Sequence, residues 1–151
     1  MINYIKSKIF YSMPKSIIEK KDVLENSATK DLVFRISKFG NENPDKIFYV
    51  IKRFPGAGLF SNLTFVLNHL KIAEDLGFIP IVDMQNFPSW YSEKMELFGT
   101  QNSWEYYFEQ VSNYKVEEVY KSKSVILTDN IYHKNFTRLI FEDEKLIELA
   151  K

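Results

Sequence analysis

The sequence predicts an α/β fold, a parallel sheet flanked by helices, with a helical N-terminal extension. Three observations carry that expectation. Lys46 to Arg53 (KIFYVIKR) is a run of β-branched and aromatic residues that reads as a buried strand. From Ser61 the hydrophobic period becomes helical, with Leu63, Val66, Leu67, Leu70, Ala73 and Leu76 on one face and Gly77 as a C-terminal stop. Phe78 to Val82 (FIPIV) is a second strand-like run, ending at Asp83. Residues 46–83 therefore read as strand, glycine loop, helix and strand. Such a βαβ unit is expected to have parallel strands and a right-handed crossover.

The remaining elements follow in chain order. Residues 1–38 carry eight Lys and Arg against four Asp and Glu, a local charge of +4. Ile2, Ile5, Ile9 and Met13 form a helical stripe that Pro14 interrupts. This stripe reads either as a peripheral membrane-surface helix or as a helix packed on the domain that follows. Phe39 to Pro44 (FGNENP) is turn-rich punctuation, so the extension spans 1–38 and the α/β domain 46–151. Asn86 to Trp90 (NFPSW) reads as a loop. Residues 102–110 (NSWEYYFEQ) read as a short helix capped by Asn102 or Ser103, with Glu105 in its first turn. Val116 to Tyr120 is a helical turn, and Lys123 to Thr128 (KSVILT) is a third strand of the same sheet. In the tail from Phe141 to Lys151, acids Glu142, Asp143 and Glu144 precede a stripe of Leu146, Ile147 and Leu149, the charge order that suits a helix dipole.

Composition excludes several classes of function. The 151 residues suit one domain. Twenty basic and twenty acidic residues give zero net charge, against the basic excess expected of a nucleic-acid binder. A 45% hydrophobic and 26% charged chain has the balance of a globular domain rather than a disordered one. The absence of cysteine excludes disulfide scaffolds, cysteine-ligated zinc and thiol catalysis. No apolar run is long enough for a membrane span or a signal-peptide core, so a cytoplasmic location is expected, with the N-terminal stripe as the route to contact with the inner membrane face. His69 and His133 have no metal-ligand spacing, so no protein-bound metal is expected.

The strongest local signal is Arg53 to Asn62 (RFPGAGLFSN). A glycine loop between strand and helix exposes backbone N–H groups at the positive end of the helix, an arrangement that favours a phosphate or other anion. Gly56 and Gly58 would admit close approach, and Asn62 could hydrogen-bond a phosphate or sugar oxygen. No Gly-Lys-Ser/Thr follows and the third glycine of a dinucleotide fingerprint is missing. A tight strand-to-helix turn without a ligand is the plain alternative. Asp83 lies beyond the carboxyl end of the second strand, where ligands of open α/β sheets sit, and is a candidate catalytic acid or an Asx-turn residue. Trp90, Tyr91, Trp104, Tyr106 and Tyr107 cluster near Glu93, Glu105 and Glu109, the residue types of a carbohydrate groove. Trp104 and Phe108 read better as core.

The segment PGAGLFSNLTFVLNHLKIAEDLGFIPIVDMQNFPSWY, followed by NSWEYYFEQVS and EEVYKSKSVIL, resembles the N-terminal half of bacterial fucosyltransferase-like glycosyltransferases. These are similar to the O-fucosyltransferase and α-1,6-fucosyltransferase superfamily. The resemblance spans roughly residues 47–128, and Gly58-Leu59-Phe60-Ser61-Asn62 looks like the family's glycine–Asn loop, with Leu63 where a Gln is usual. It implies a Rossmann-like domain of a two-domain GT-B fold. It further implies transfer of a hexose such as fucose from a nucleotide diphosphate sugar to a glycan acceptor, without metal or other cofactor, in surface polysaccharide synthesis. Gly56, Gly58 and Asn62 would then bind donor substrate and Asp83 would serve the acceptor hydroxyl. The family's basic His/Arg motif belongs to a C-terminal domain and has no counterpart here, so the chain is expected to be the acceptor-side half of an enzyme: a truncated enzyme, an isolated N-terminal domain or a split-gene product with a separately encoded C-terminal half. A non-catalytic carbohydrate- or protein-binding module is the rival reading.

Overall fold

The computed structural model describes residues 17–19, 32–53 and 57–133. In chain order these form β1 (Ile17–Glu19), β2 (Leu32–Ser37), β3 (Phe48–Ile51), α1 (Leu59–Leu76), β4 (Ile79–Val82), α2 (Val116–Val119) and β5 (Val125–His133). The strands make one open sheet in the order β1-β2-β5-β3-β4. β3 pairs in parallel with β4, Phe48 opposite Ile79, and with β5, Phe48 opposite Val125. The parallel pairing expected for residues 46–83 and the recruitment of the third strand are therefore both present.

Two expectations change. The sheet is mixed, because β2 runs antiparallel to β5 and to β1. The N-terminal extension, expected to be helical, contributes strands at 17–19 and 32–37. The physical reason lies in Leu32 to Ser37 (LVFRIS), whose apolar and β-branched residues fit a pleated surface. A register shift between Phe34 and Ile36 accommodates the pairing with β5. The stripe from Ile2 to Met13 and the tail from Phe141 lie outside the described residues.

β3 (FYVI) is apolar and buried along its whole length because both of its faces are covered. On one face Tyr49 and Ile51 pack with Phe65, Val66, Ile72, Ala73 and Leu76 of α1, together with Val82, Trp104 and Ile126. On the other, Phe48, Val50, Ile81 and Val125 pack with Val116 and Val119 of α2. α1 ends where Gly77 adopts φ 65°, a left-handed conformation that glycine enters without a Cβ penalty. Phe78 N–H then reaches back to the Ala73 carbonyl at 2.9 Å. Gly40 has a different necessity: a Cβ there would lie 2.0 Å from the Lys121 carbonyl oxygen.

Residues 102–110 form turns instead of the expected short helix. The Asn102 and Gln110 side-chain amides are committed to the backbone of Val82 and Met84, and the backbone of 102–110 makes turn bonds, Glu105 N–H to the Asn102 carbonyl at 2.9 Å among them. Asn102 accepts from the N–H of Met84 and of Trp104 and donates to the Val82 carbonyl at 2.7 Å. Gln110 accepts from Val82 N–H at 2.9 Å and donates to the same carbonyl at 3.0 Å. Glu105 Oε1 receives both amides and its Oε2 receives the Thr100 hydroxyl. This buried network fills the outer side of β4. Ile79 and Asp83 turn their N–H groups to β3, so Pro80 and Val82 face outward. Proline has no N–H to offer, and that of Val82 is taken by Gln110.

Candidate functional site at the amino end of α1

α1 begins at Leu59, two residues before the expected start, with Gly58 as its N-cap. Gly58 has φ −67° and ψ 164°, extended backbone that any residue adopts. A Cβ there would meet nothing closer than the Tyr91 hydroxyl, at 3.9 Å. Neither conformation nor packing requires glycine at 58. A side chain would instead project into the space before the first turn of α1. Gly56 lies outside the described residues.

The earlier start of the helix places Asn62 two residues further into it, about half a turn. It was expected to face an anion before the helix. Instead it lies on the sheet-facing side with Phe65, Val66 and His69 and is 5% exposed. Its N–H bonds the Gly58 carbonyl at 3.0 Å and its Nδ2 reaches the Ala57 carbonyl at 3.4 Å. Asn62 thus holds the end of the glycine loop onto the helix. It lines a cavity of about 10 Å³ with Leu59, Tyr91, Ser103, Trp104 and Tyr107. That is room for about one water and far too little for a sugar.

Two residues complete the turn: Tyr91 of the aromatic cluster and Arg53 at the head of the glycine segment. Tyr91 accepts a hydrogen bond from Leu59 N–H at 3.0 Å, so a phenol occupies one of the groups that a helix start leaves unpaired. Arg53, just after β3, donates to the Ser61 carbonyl and lies 4.8 Å from the Phe65 ring centroid. Its guanidinium adds positive charge beside the first turn of α1. The Lys-Arg pair preceding the glycine loop was a legible signal for Arg53. Tyr91 sits 32 residues from its partner, and nothing local in the sequence joins them.

Asp83 follows β4 and is fully buried. Its Oδ1 accepts from the N–H of Gln85 and Asn86, and its Oδ2 accepts from Asn86 Nδ2 and from the Tyr120 hydroxyl at 2.7 Å. Burial raises the carboxyl above its ordinary value, and the donors around it pull it part of the way back. With both oxygens engaged, the group shapes the turn after β4, as in the Asx-turn alternative. It is not open to a substrate hydroxyl in this arrangement.

His69 proves to be a packed helix residue. Its Nδ1 lies 2.6 Å from the Tyr49 hydroxyl, and its ring centroid is 4.2 Å from that of Phe65. Burial, then the Arg53 charge, lowers its pKa to about 3. Burial also holds the Tyr49 phenol well above its ordinary value, so the buried pair is a neutral phenol and a neutral imidazole. His133 ends β5. Among the described residues no group of three His, Asp or Glu is placed to hold a metal ion, and no helix is long and apolar enough to cross a membrane.

The aromatic cluster divides. Trp104 is buried, stacks on Phe108 at 4.4 Å between centroids and donates its indole N–H to the Glu109 carbonyl. Both belong to the core, as expected. Trp90 is 72% exposed, and Tyr107 is also exposed at the rim of the small cavity. Glu105 is committed to the amide network. What the structure brings together is therefore Gly58, the first turn of α1, Arg53 and Tyr91, with Asn62 beneath them. Asp83 belongs to a separate, closed turn. No family model matches this chain, and neither a curated protein nor a solved structure matches it significantly.

Proposed function

We propose that this chain is the acceptor-side, Rossmann-like domain of a fucosyltransferase-like glycosyltransferase. It would move a hexose such as fucose from a nucleotide diphosphate sugar to a glycan acceptor once a C-terminal half is supplied. The observation that carries the reading is Gly58, a glycine that neither its backbone nor its neighbours require, directly before the N-terminus of an 18-residue helix. Space is kept open where the positive end of the α1 dipole and the Arg53 guanidinium favour negative charge. The resemblance over residues 47–128 supplies the substrate class.

In this mechanism the leaving diphosphate gathers charge as the glycosidic bond breaks. The amino end of α1 and Arg53 stabilise that charge, because their dipoles and charge are in place beforehand. Asn62 acts through Ala57, fixing the loop, and Asp83 fixes the neighbouring turn. The acceptor hydroxyl's proton goes to a group supplied by the completed enzyme.

Titration of the full chain with a panel of nucleotide diphosphate sugars, followed by amide NMR, tests this. Weak, millimolar binding with shifts centred on residues 57–62 is expected, since only half of the site is present. Absence of any shift there would overturn the reading. The rival reading, a carbohydrate- or protein-binding module, draws on the exposed Trp90 and Tyr107. It would show instead as shifts at those rings with free oligosaccharide.

A further inference from the structure

The cavity beneath the start of α1 holds two unmet polar groups of opposite kind. Asn62 is 5% exposed, and its side chain makes one bond, from Nδ2 to the Ala57 carbonyl at 3.4 Å. No described residue donates to its Oδ1. Tyr91 has the converse deficit. Its oxygen accepts from Leu59 N–H at 3.0 Å, which turns its own proton away from Leu59, and no described residue accepts that proton. Both side chains wall the same cavity of about 10 Å³. The serine hydroxyls of the wall are already engaged: Ser89 and Ser103 bond each other at 3.0 Å, and Ser92 donates to Ser103 at 2.8 Å. A buried amide oxygen without a donor is costly. The cavity therefore suits a guest that gives one proton and receives another.

We propose that this cavity is a subsite for a single hydroxyl group of a carbohydrate ligand. A hydroxyl is donor and acceptor at once, so it donates to Asn62 Oδ1 and accepts from the Tyr91 O–H. A phosphate or carboxylate oxygen only accepts. It would face Asn62 Oδ1 with no proton to offer, so the socket discriminates against it. Size limits the guest to one oxygen, because the space is that of about one water. The rest of the ligand stays outside, and the rim receives it. Tyr107 lines the same cavity and is 55% exposed, so a sugar whose hydroxyl enters can lay the C–H face of its ring on the phenol. That the carbohydrate is a transfer substrate rests on the sugar-transfer reading. That the guest is a hydroxyl rests on Asn62, Tyr91 and Tyr107.

NMR titration of the full chain with the methyl glycosides of fucose, mannose and glucose, and separately with inorganic phosphate, tests it. The glycosides carry hydroxyls and no charge. At least one should shift the Asn62 side-chain amide together with the Tyr91 and Tyr107 rings, in a saturable titration. Phosphate should leave the Asn62 side chain unmoved, even where it shifts backbone N–H groups at the start of α1. Tyr91→Phe removes the donor and Tyr107→Ala the ring at the rim. Each should weaken glycoside binding about fivefold, the loss expected for one hydrogen bond or one ring contact. Tyr107 is exposed, so its variant should melt as the wild type does and keeps the test open if Tyr91→Phe folds poorly. The socket is overturned if no glycoside moves Asn62, if phosphate moves it as far, or if both variants bind unchanged. Glycosides that move only Trp90 and Tyr107 also overturn it, in favour of a surface-binding module. The transfer reading fails separately, when nucleotide diphosphate sugars leave the backbone of 57–62 unmoved.

Discussion

Two turns leave the carboxyl ends of adjacent parallel strands, and they are built in opposite ways. After β4, every oxygen of Asp83 is engaged by Gln85, Asn86 and Tyr120, and the turn is closed. After β3, the chain enters α1 through a glycine cap with open space where a side chain would stand, flanked by a guanidinium and a phenol. Topology alone marks both places as equal candidates. The difference teaches that saturation of polar groups, rather than position on the sheet, separates a structural turn from an approachable one.

The largest expected effect comes from opening the closed turn. Asp83→Ala leaves the Tyr120 hydroxyl and two backbone N–H groups without their acceptor and should destabilise the fold by about 3 kcal/mol in urea denaturation. A loss below about 1 kcal/mol would break the contrast, since Asp83 would then be dispensable to the turn.

Acidification should sharpen it, because the two sides titrate in opposite directions. His69, inside α1, has a folded pKa of about 3 against about 6.5 when unfolded. Its contribution is complete above pH 6.5 and is lost as pH falls toward 3, at up to about 1.4 kcal/mol per pH unit. Asp83, whose folded pKa is raised, works the other way: its contribution is complete below its unfolded value and declines as pH rises through the folded one. Melting of the wild type and of His69→Phe between pH 4 and 7 checks this, and the variant should show the shallower acid limb.

Tyr91→Phe removes the acceptor of Leu59 N–H at a partly exposed helix start and should lower stability by about 1 kcal/mol. Hydrogen exchange at Leu59 should quicken while that at Val82 does not change. Smallest of all on the fold is Gly58→Ala, expected to cost about 0.5 kcal/mol, since alanine is a poorer N-cap than glycine. In the completed enzyme the same methyl should reduce transfer at least tenfold by occupying the approach to α1. If it lowers stability and leaves transfer intact, the open turn is merely structural.

The βαβ core was legible because hydrophobic period and the Gly77 stop are local properties. Strand, helix and strand, and their parallel pairing, follow from residues 46–83 read in order. The start of α1 was not legible: no Ser, Thr, Asp or Asn caps it, and Leu59 and Phe60 read as loop although they are helical. That shift of two residues turned Asn62 inward. β2 was obscured by the charges around it, although LVFRIS has strand composition. The turns at 102–110 depend on Asn102 and Gln110 reaching a strand some twenty to thirty residues earlier, and the His69–Tyr49 bond depends on the packed core. Such contacts belong to the fold, and periodicity carries no trace of them.

The outer side of β4 has a consequence for colloidal behaviour. A sheet edge is ordinarily a template on which another chain can add a strand and begin a fibril. Here Pro80 supplies no N–H, and Val82 has both backbone groups consumed by amides of its own chain. Between Pro80 and Val82 this edge keeps no N–H for an incoming strand to zip onto. The molecule can present greasy side chains on α1 at this end of the sheet without inviting runaway polymerisation through its backbone.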